Sequence, residues 1–317
     1  MLSFLPGVVR GTLSYIFLFF NTIFWCLPLY LFALLRFIGP ASVGSWCTRQ
    51  VINIAEFWIA SNNKVIDLFQ NLEIEVEGIQ DLDHDGWYLV LCNHQTWVDI
   101  LILQRVFNNR VPFLKFFIKS ALIYTPVIGI AWWALDFPIM KRYTPEFLKK
   151  HPELRGKDLE ATRRSCEKFK LTPVTILNFL EGTRFTQDKH GQQKSPYKHL
   201  LKPRGGGAAM VISSLGERID SVLNVTIHYP NGVPGFFEFF SGKTKQIKFI
   251  VEYLPVPGEL TSSDAEPKSK VGMREWINTI WSEKDDLLES LHNPIPDTPI
   301  PNTSLQNTPI PKTDGQT

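Results

Sequence analysis

The sequence has little cysteine, almost no net charge and no GxSxG motif of the kind that presents a nucleophilic serine. Its four cysteines are spread over 317 residues without a CxxC pair, which argues against a disulfide framework or a zinc knuckle and favours a reducing compartment. Basic residues number 33 and acidic residues 31, so the basic excess typical of a dedicated nucleic-acid binder is absent. No GxSxG motif occurs, and a serine nucleophile on a strand-to-helix elbow is therefore not indicated.

A long uncharged run lies near the N-terminus, between Arg10 and Arg36. Its 25 residues would extend about 38 Å as a helix, against a hydrocarbon core of roughly 30 Å. They also exceed the apolar region of a secretory signal, about 7–15 residues. We therefore expect a membrane-embedded helical segment, in which Asn21 and Pro28 would permit a kink or a re-entrant hairpin. A cleaved signal and a buried soluble helix are the alternatives.

Two further stretches are apolar enough to contact a membrane. Residues 46–69 have the spacing of an amphipathic helix, which would either pack on the globular domain or lie in the interface and support that domain. Residues 121–139 carry a single charge, but the prolines and the glycine within them favour a core or interface-dipping segment over a second span.

Strand and helix patterns alternate after Leu72. The apolar patterns predict strands over residues 73–78, 87–92, 174–181, 221–230 and 248–256, and helices over 96–107, 152–170, 205–215 and 268–291. We expect an α/β fold with a mixed or mainly parallel sheet flanked by helices, preceded by the N-terminal membrane-embedded segment. This divides the chain into an anchor with an amphipathic helix (1–70), a globular domain (71–292) and a disordered Pro-rich tail (293–317).

His94 and Asp99 lie where a buried strand ends, which is where sites form in α/β sheets. Residues five apart on one helix point in different directions, so the two side chains meet only if His94 lies in the turn before the helix that carries Asp99. The carboxylate would then fix one imidazole nitrogen and leave the other to accept a proton. A surface imidazole near a helix-start carboxylate is the alternative interpretation.

Glu181, Gly182, Thr183 and Arg184 follow a second buried strand. Gly182 permits a tight turn, Thr183 offers a hydroxyl donor, and Arg184 has the planar fork suited to a phosphate. Glu181 would orient Arg184 or bind a substrate hydroxyl. An ordinary strand exit with a solvated arginine is the alternative.

Basic residues form the third signal. Lys119 precedes the apolar stretch 121–139 and Arg142 follows it, while residues 185–204 carry five basic residues against one acidic residue. Such a loop beside a site attracts phosphate groups or an acidic carrier, although each lysine taken singly fits a solvated loop. A His–Asp base, a phosphate clamp and no nucleophile of the chain's own together suggest acyl transfer onto a lipid hydroxyl.

These motifs resemble the glycerolipid acyltransferases, and among them the PlsC-type 1-acylglycerol-3-phosphate (lysophosphatidate) acyltransferases. The resemblance rests on His94–x4–Asp99 after Asn93, on FPIMKR at residues 137–142, and on Glu181-Gly182-Thr183-Arg184. The sequences of residues 179–190 and 195–204 resemble those of a membrane-anchored branch of this family, which includes lysophospholipid acyltransferases. The fourth sequence block of the family, usually a Pro-containing strand, matches less well, because residues 222–230 carry Asn224 and Thr226 where Val-Pro is expected.

The resemblance implies that residues 71–292 form an acyltransferase domain facing the cytoplasm, at the inner or plasma membrane in a bacterium, as the basic residues after the anchor also favour. His94 would remove the proton from the sn-2 hydroxyl of 1-acylglycerol-3-phosphate, which then attacks the thioester of acyl-CoA or acyl carrier protein. Arg184 would bind the phosphate, with Glu181 and Thr183 shaping that site. Arg142 is a second phosphate candidate, and Lys119 or backbone N–H groups near Gly182 are candidate oxyanion donors.

No metal and no cofactor are expected, because the remaining histidines form no ligand-spaced cluster. The partners are a membrane lipid substrate and acyl-CoA or acyl carrier protein. Two alternatives remain open: another lysophospholipid such as lysocardiolipin as acceptor, including a transacylase, and a non-catalytic lipid-binding membrane protein.

Overall fold

The computed structural model describes residues 2–80, 82–140, 150–151, 168–261 and 266–293. The helices in these ranges are α1 (Gly7–Ile38), α2 (Ala41–Phe69), α3 (Val98–Phe107), α4 (Ile128–Ala134), α5 (Gln187–Gln193), α6 (Gly206–Leu215), α7 (Phe236–Phe240), α8 (Gly258–Thr261) and α9 (Glu266–His292). The strands are β1 (Glu73–Glu77), β2 (Trp87–Cys92), β3 (Leu114–Phe116), β4 (Ile118–Lys119), β5 (Ile139–Met140), β6 (Val174–Phe179), β7 (Ser221–His228) and β8 (Gln246–Leu254).

Six strands form one mixed sheet in the order β1-β8-β7-β2-β6-β3. Neighbouring strands of this sheet are parallel except β7 and β8, which pair antiparallel. The predicted fold class is thereby confirmed. Because β2, β6 and β7 run parallel, their carboxyl ends meet at one edge of the sheet, where side chains project into an open crevice.

Strand alternation divides the core between the two faces of this sheet. In β2, Val90 and Cys92 pack with α3 on one face. Leu89 and Leu91 pack with α6 and α9 on the other face. The sheet is therefore covered on both sides, which explains why β2 and β6 read as continuous apolar runs.

The helices α1 and α2 form an antiparallel hairpin that turns at Gly39 and Pro40. Helix α1 continues through Pro28, so no re-entrant turn occurs inside the uncharged run. In the described part of the chain, α1 is the one helix that is long and apolar enough to cross a membrane by length and composition. Side chains such as Phe20 and Phe24 on its outer surface are exposed.

The two other apolar stretches, residues 46–69 within α2 and residues 121–139 around α4, pack in one cluster with α1. Helix α2 buries Val51, Ile54 and Ile59 in a cluster with α1 and α4, which matches the packing alternative for residues 46–69. Helix α4 has seven residues and extends about 10 Å, too short to span a hydrocarbon core of about 30 Å. Residues 121–139 therefore form a surface segment that partly enters the core, as preferred from the sequence.

Three sequence predictions lie wholly or largely outside the described residues. They concern the helix at 152–170, of which 168–170 belong to a 3₁₀ turn (Lys168–Leu171), the role of Arg142, and the tail at 293–317, of which only Asn293 is described. These stay predictions.

Candidate active site

His94 and Asp99 are in direct contact at the carboxyl edge of the sheet. His94 lies in the turn after β2, and Asp99 is the second residue of α3. The Nδ1 atom of His94 is 2.9 Å from Oδ2 of Asp99. A carboxylate only accepts hydrogen bonds, so Nδ1 carries the proton and Nε2 is the nitrogen free of Asp99. The strand–turn–helix arrangement expected from the sequence brings the pair together.

Asp99 is fully buried and held by several donors. Its Oδ2 atom also accepts the backbone N–H groups of Gln95 at 2.6 Å and Thr96 at 2.9 Å, and its Oδ1 atom accepts the hydroxyl of Tyr229 at 2.7 Å. These bonds stabilise the ionised carboxylate inside the protein. No pattern in the sequence points to Tyr229, because it lies 130 residues from Asp99 and no regular spacing joins the two residues.

The imidazole of His94 is fixed on its face as well as at its edge. It stacks on Phe179, the last residue of β6, with ring centroids 3.9 Å apart and an interplanar angle of 15°. The side chain is 12% exposed. The ring therefore has little rotational freedom and retains access to the crevice.

Asn93 joins the turn to the neighbouring strand β7. Its side chain accepts the backbone N–H of Ile227 and donates to the carbonyl of the same residue, both at 2.9 Å. Since β2 and β7 are parallel neighbours, this reciprocal pair extends their ladder by side-chain bonds and fixes where the turn begins. Asn93, the motif residue before His94, thus holds the turn against β7.

Glu181 is fully buried, although the sequence suggested that it binds substrate or orients Arg184. Its Oε1 atom accepts the backbone N–H of His94 at 2.8 Å, and its Oε2 atom accepts that of Leu201 at 3.1 Å. Burial raises the pKa of Glu181 to about 8, against the opposing effect of these two N–H groups. The structure gives this carboxyl an orienting role toward the His94 turn, and its contact with substrate stays a prediction.

Gly182 and Thr183 form the turn that follows Glu181. Gly182 has φ +65°, a left-handed conformation that glycine adopts without steric cost, and its N–H donates to the carbonyl of Phe179 at 2.9 Å. Lys189 donates to the hydroxyl of Thr183 and to the carbonyl of Arg184, both at 2.9 Å. The N–H of Gly182 is therefore engaged within the protein here, and its use as an oxyanion donor stays a prediction.

Arg184 is exposed and lies over the ring of Trp97, with its guanidinium carbon 4.9 Å from the ring centroid. Trp97 is three residues from His94. This cation–π contact therefore holds Arg184, the residue predicted to bind phosphate, near the His–Asp pair. Lys119 ends β4, outside the main sheet, and is exposed. Its predicted role is not tested by these contacts.

A large apolar cavity opens beside Trp97. Its volume is about 590 Å³, and its walls come from α1, α2, α3 and α4. Trp25, Trp58, Leu101 and Ala131 are among the lining residues. A cavity of this size and apolar lining has the dimensions of a ligand site, and its contents would be hydrocarbon rather than polar groups.

Within the described ranges, no group of three or more His, Cys, Asp or Glu side chains is arranged to hold a metal ion. The expectation that the reaction uses neither metal nor cofactor stays a prediction.

Residues 73–228 match the family model described as Acyltransferase. The chain is 28% identical to mouse lysocardiolipin acyltransferase 1 over 222 residues, covering 64% of this chain and 54% of that protein. It is 26% identical to mouse 1-acyl-sn-glycerol-3-phosphate acyltransferase gamma, covering 66% and 54%. It is 27% identical to 1-acyl-sn-glycerol-3-phosphate acyltransferase 3 of Arabidopsis thaliana, covering 69% and 57%.

The chain thus spans about half the length of the curated relatives it matches. Among solved structures, it is similar to the 1-acyl-sn-glycerophosphate acyltransferase PlsC of Thermotoga maritima, with a TM-score of 0.52 and 16% identity. That similarity covers 90% of this chain and 98% of the other. At this identity it shows a shared fold.

Proposed function

We propose that this chain is a PlsC-type acyltransferase and transfers a fatty acyl group to a hydroxyl of a lysophospholipid. The motif resemblance and the match of residues 73–228 to the Acyltransferase family model support this proposal. One observation carries the proposal. His94, paired with buried Asp99, lies three residues from Trp97, which lines the apolar cavity and also supports Arg184. A base, a cation and an apolar cavity meet at one point, and a lysophospholipid offers a hydroxyl, a phosphate and an acyl tail.

His94 acts as the general base in this mechanism. Its Nε2 atom takes the proton from the acceptor hydroxyl as that oxygen attacks the thioester carbonyl of the donor. Asp99 holds Nδ1–H and stabilises the imidazolium that forms. Collapse of the tetrahedral intermediate breaks the carbon–sulfur bond, and the proton on Nε2 passes to the leaving thiolate. The products are the new ester and a free thiol.

The acceptor that fits these groups best is 1-acylglycerol-3-phosphate, acylated at its sn-2 hydroxyl to give phosphatidate. Arg184 would bind its phosphate in a bidentate geometry, since its guanidinium is exposed and held by its ring contact with Trp97. The acyl-CoA or acyl carrier protein donor would meet the basic loop of residues 185–204.

The apolar cavity would receive an acyl tail, and α1 would keep the enzyme where lysolipids reside. Helix α1 has the length and composition of a membrane span, and it also forms a wall of the cavity. An acyl tail that leaves the bilayer along α1 would therefore reach the cavity without passing through water. This path is favourable because a hydrocarbon chain is more stable away from water. We place the catalytic domain on the cytoplasmic side, following the basic residues after α1.

A lysocardiolipin or related lysophospholipid is the second candidate acceptor. The similarity to mouse lysocardiolipin acyltransferase 1 favours it. It also presents a hydroxyl, a phosphate (here a diester) and acyl tails to the site. The reaction steps at His94 would be unchanged.

The test is turnover by the full chain in detergent with acyl-CoA or acyl carrier protein. The acceptor panel contains 1-acylglycerol-3-phosphate, lysocardiolipin and a lysolipid without phosphate. We expect phosphatidate from the wild type and none above background from His94→Ala. His84→Ala is the matched control, because His84 precedes β2 at the opposite end of that strand, and it should retain wild-type turnover.

The outcomes separate the candidates. Faster acylation of lysocardiolipin than of 1-acylglycerol-3-phosphate would select the second acceptor. Lysolipid binding without any turnover would favour a non-catalytic lipid-binding protein. Wild-type turnover in His94→Ala would eliminate the proposed base.

A further inference from the structure

Helix α9 lies outside the region that matches the acyltransferase family, yet a chain of three hydrogen bonds joins it to the base. The indole N–H of Trp281 donates to the carbonyl of Leu201 at 2.8 Å. The N–H of Leu201 donates to Oε2 of Glu181 at 3.1 Å, and Oε1 of Glu181 accepts the backbone N–H of His94 at 2.8 Å. Residue 201 is thus held on both sides, by α9 and by Glu181.

The same face of α9 holds the preceding part of this loop. Trp281, Asp285 and Glu289 are spaced four residues apart, which places them on one side of a helix. The two oxygens of Asp285 accept the backbone N–H groups of Lys198 at 2.7 Å and His199 at 2.8 Å. Glu289 accepts the side chains of the same two residues, at 3.2 and 2.6 Å.

The contacts of Trp281 and Asp285 are hydrogen bonds to the loop backbone, beyond what packing requires. Trp281 is among the largest fully buried side chains and belongs to the core cluster beneath α6. A phenyl ring would preserve most of this apolar contact but has no donor for the Leu201 carbonyl. The substitution Trp281→Phe therefore removes the hydrogen bond to Leu201 and keeps most of the packing.

We propose that Trp281 is a positioning residue for His94, acting through Leu201 and Glu181, with Asp285 supporting the same loop. The proposal rests on the proposed function for its kinetic consequence. Glu181 has two oxygens and two N–H partners, so displacement of Leu201 leaves the carboxyl free to rotate away from the His94 turn. A small displacement of a catalytic group reduces turnover strongly while leaving substrate contacts in place.

The test compares Trp281→Phe with Trp276→Phe. Trp276 is a half-buried residue of the same helix that packs on the same core cluster, so it controls for the loss of an indole from α9. We expect kcat of Trp281→Phe to fall about ten-fold with KM within about two-fold of the wild type. Trp276→Phe should retain the wild-type kcat. Equal kcat in both variants would overturn the proposal.

A double-mutant cycle with Glu181→Gln distinguishes positioning from general stability. A glutamine side chain accepts hydrogen bonds through only one of its two terminal atoms. It therefore keeps the bond from the N–H of Leu201 or the bond from the N–H of His94 but not both, and the chain of bonds is broken. We therefore expect Trp281→Phe to lower kcat no further in the Glu181→Gln background. Independent, multiplying losses would contradict the proposal.

Hydrogen exchange supplies a readout that does not need turnover. Amide exchange in the segments containing His94 and Leu201 should be faster in Trp281→Phe than in Trp276→Phe, because both N–H groups lose a fixed acceptor. Unchanged exchange there would overturn the inference even if the wild type acylates none of the offered lipids. Asp285→Asn, which exchanges one acceptor oxygen for a donor, is the second variant if Trp281→Phe does not fold. We expect the same pattern from it at residues 94 and 201.

Discussion

The hydroxyl of Tyr229 donates a hydrogen bond of 2.7 Å to Oδ1 of Asp99, the oxygen that His94 does not contact. Tyr229 follows the end of β7, and Asp99 begins the helix after β2. The contact therefore spans two neighbouring strands and fixes the carboxylate from the side opposite the imidazole. Burial raises the pKa of the Tyr229 phenol well above its usual value, and the Asp99 charge adds to this, so the hydroxyl remains a donor at physiological pH.

Tyr229→Phe tests this support. The variant leaves Oδ1 of Asp99 buried without its donor, and a hydrogen bond to a charged group contributes about 1.5–3 kcal/mol. We expect a lower melting temperature and a kcat reduced by roughly three- to ten-fold, because the carboxylate holds His94 less firmly. Steady-state kinetics and thermal unfolding measure both. Tyr88→Phe is the control, since the Tyr88 hydroxyl accepts the backbone N–H of Asp83 before the amino end of β2. A kcat loss in this control as large as that of Tyr229→Phe would contradict the assignment.

Arg184→Ala tests the phosphate contact. Loss of a charge-assisted bond should raise KM for 1-acylglycerol-3-phosphate by about ten-fold or more. KM for an acceptor without phosphate should change little. Arg218→Ala removes a different exposed arginine, whose guanidinium binds the carbonyl of Lys170, and should leave both KM values unchanged. Equal losses of Arg184→Ala toward both acceptors would remove its assigned role.

Glu181→Gln tests the electrostatic state of the buried carboxyl. Its pKa is raised from 4.5 to about 8 by burial, so the folded protein binds this proton more tightly than the unfolded chain does. The resulting stabilisation is complete below pH 4.5 and is lost as the pH rises to about 8. The free energy of unfolding of the wild type should therefore fall across this window relative to Glu181→Gln, by on the order of a few kcal/mol.

Chemical denaturation at a series of pH values measures this difference. Subtracting the curve of the variant removes contributions from other groups, such as His228, whose pKa burial lowers to about 4. Parallel curves for the two proteins between pH 4.5 and 8 would show that the carboxyl does not titrate there.

Ala131→Phe tests the acyl cavity. Ala131 is a buried residue of α4 that lines the cavity, and a phenyl ring there takes space that a long tail would use. We expect kcat/KM to fall for long-chain substrates and to change little for short-chain ones. Ile130→Phe is the control, because Ile130 is 56% exposed on the same helix. A loss independent of chain length would indicate that the cavity does not hold the tail.

Much of the fold followed from local patterns. The apolar runs predicted as strands over residues 87–92, 174–181 and 221–230 form strands at 87–92, 174–179 and 221–228. Strands of a sheet that is covered on both faces are apolar throughout, which makes them visible in the sequence. The His94–Asp99 contact was also predictable, since a turn and a helix start bring both residues together within six positions. The course of the uncharged run was not predictable, because a run without charges is compatible with a straight helix and with a re-entrant hairpin. The structure has one continuous helix, packed against α2 and α4.

The sequence by itself determined the central strands of the sheet, the His–Asp pair and the membrane-length helix, because each depends on residues close together in the chain. The tertiary structure decided which distant groups complete the site. It turned the carboxyl group of Glu181 inward onto the backbone of residues 94 and 201, and it brought Tyr229 to Asp99 and α9 to the loop at 198–201. Buried polar groups must find partners wherever the fold places them, and that requirement leaves no periodic signal in the sequence.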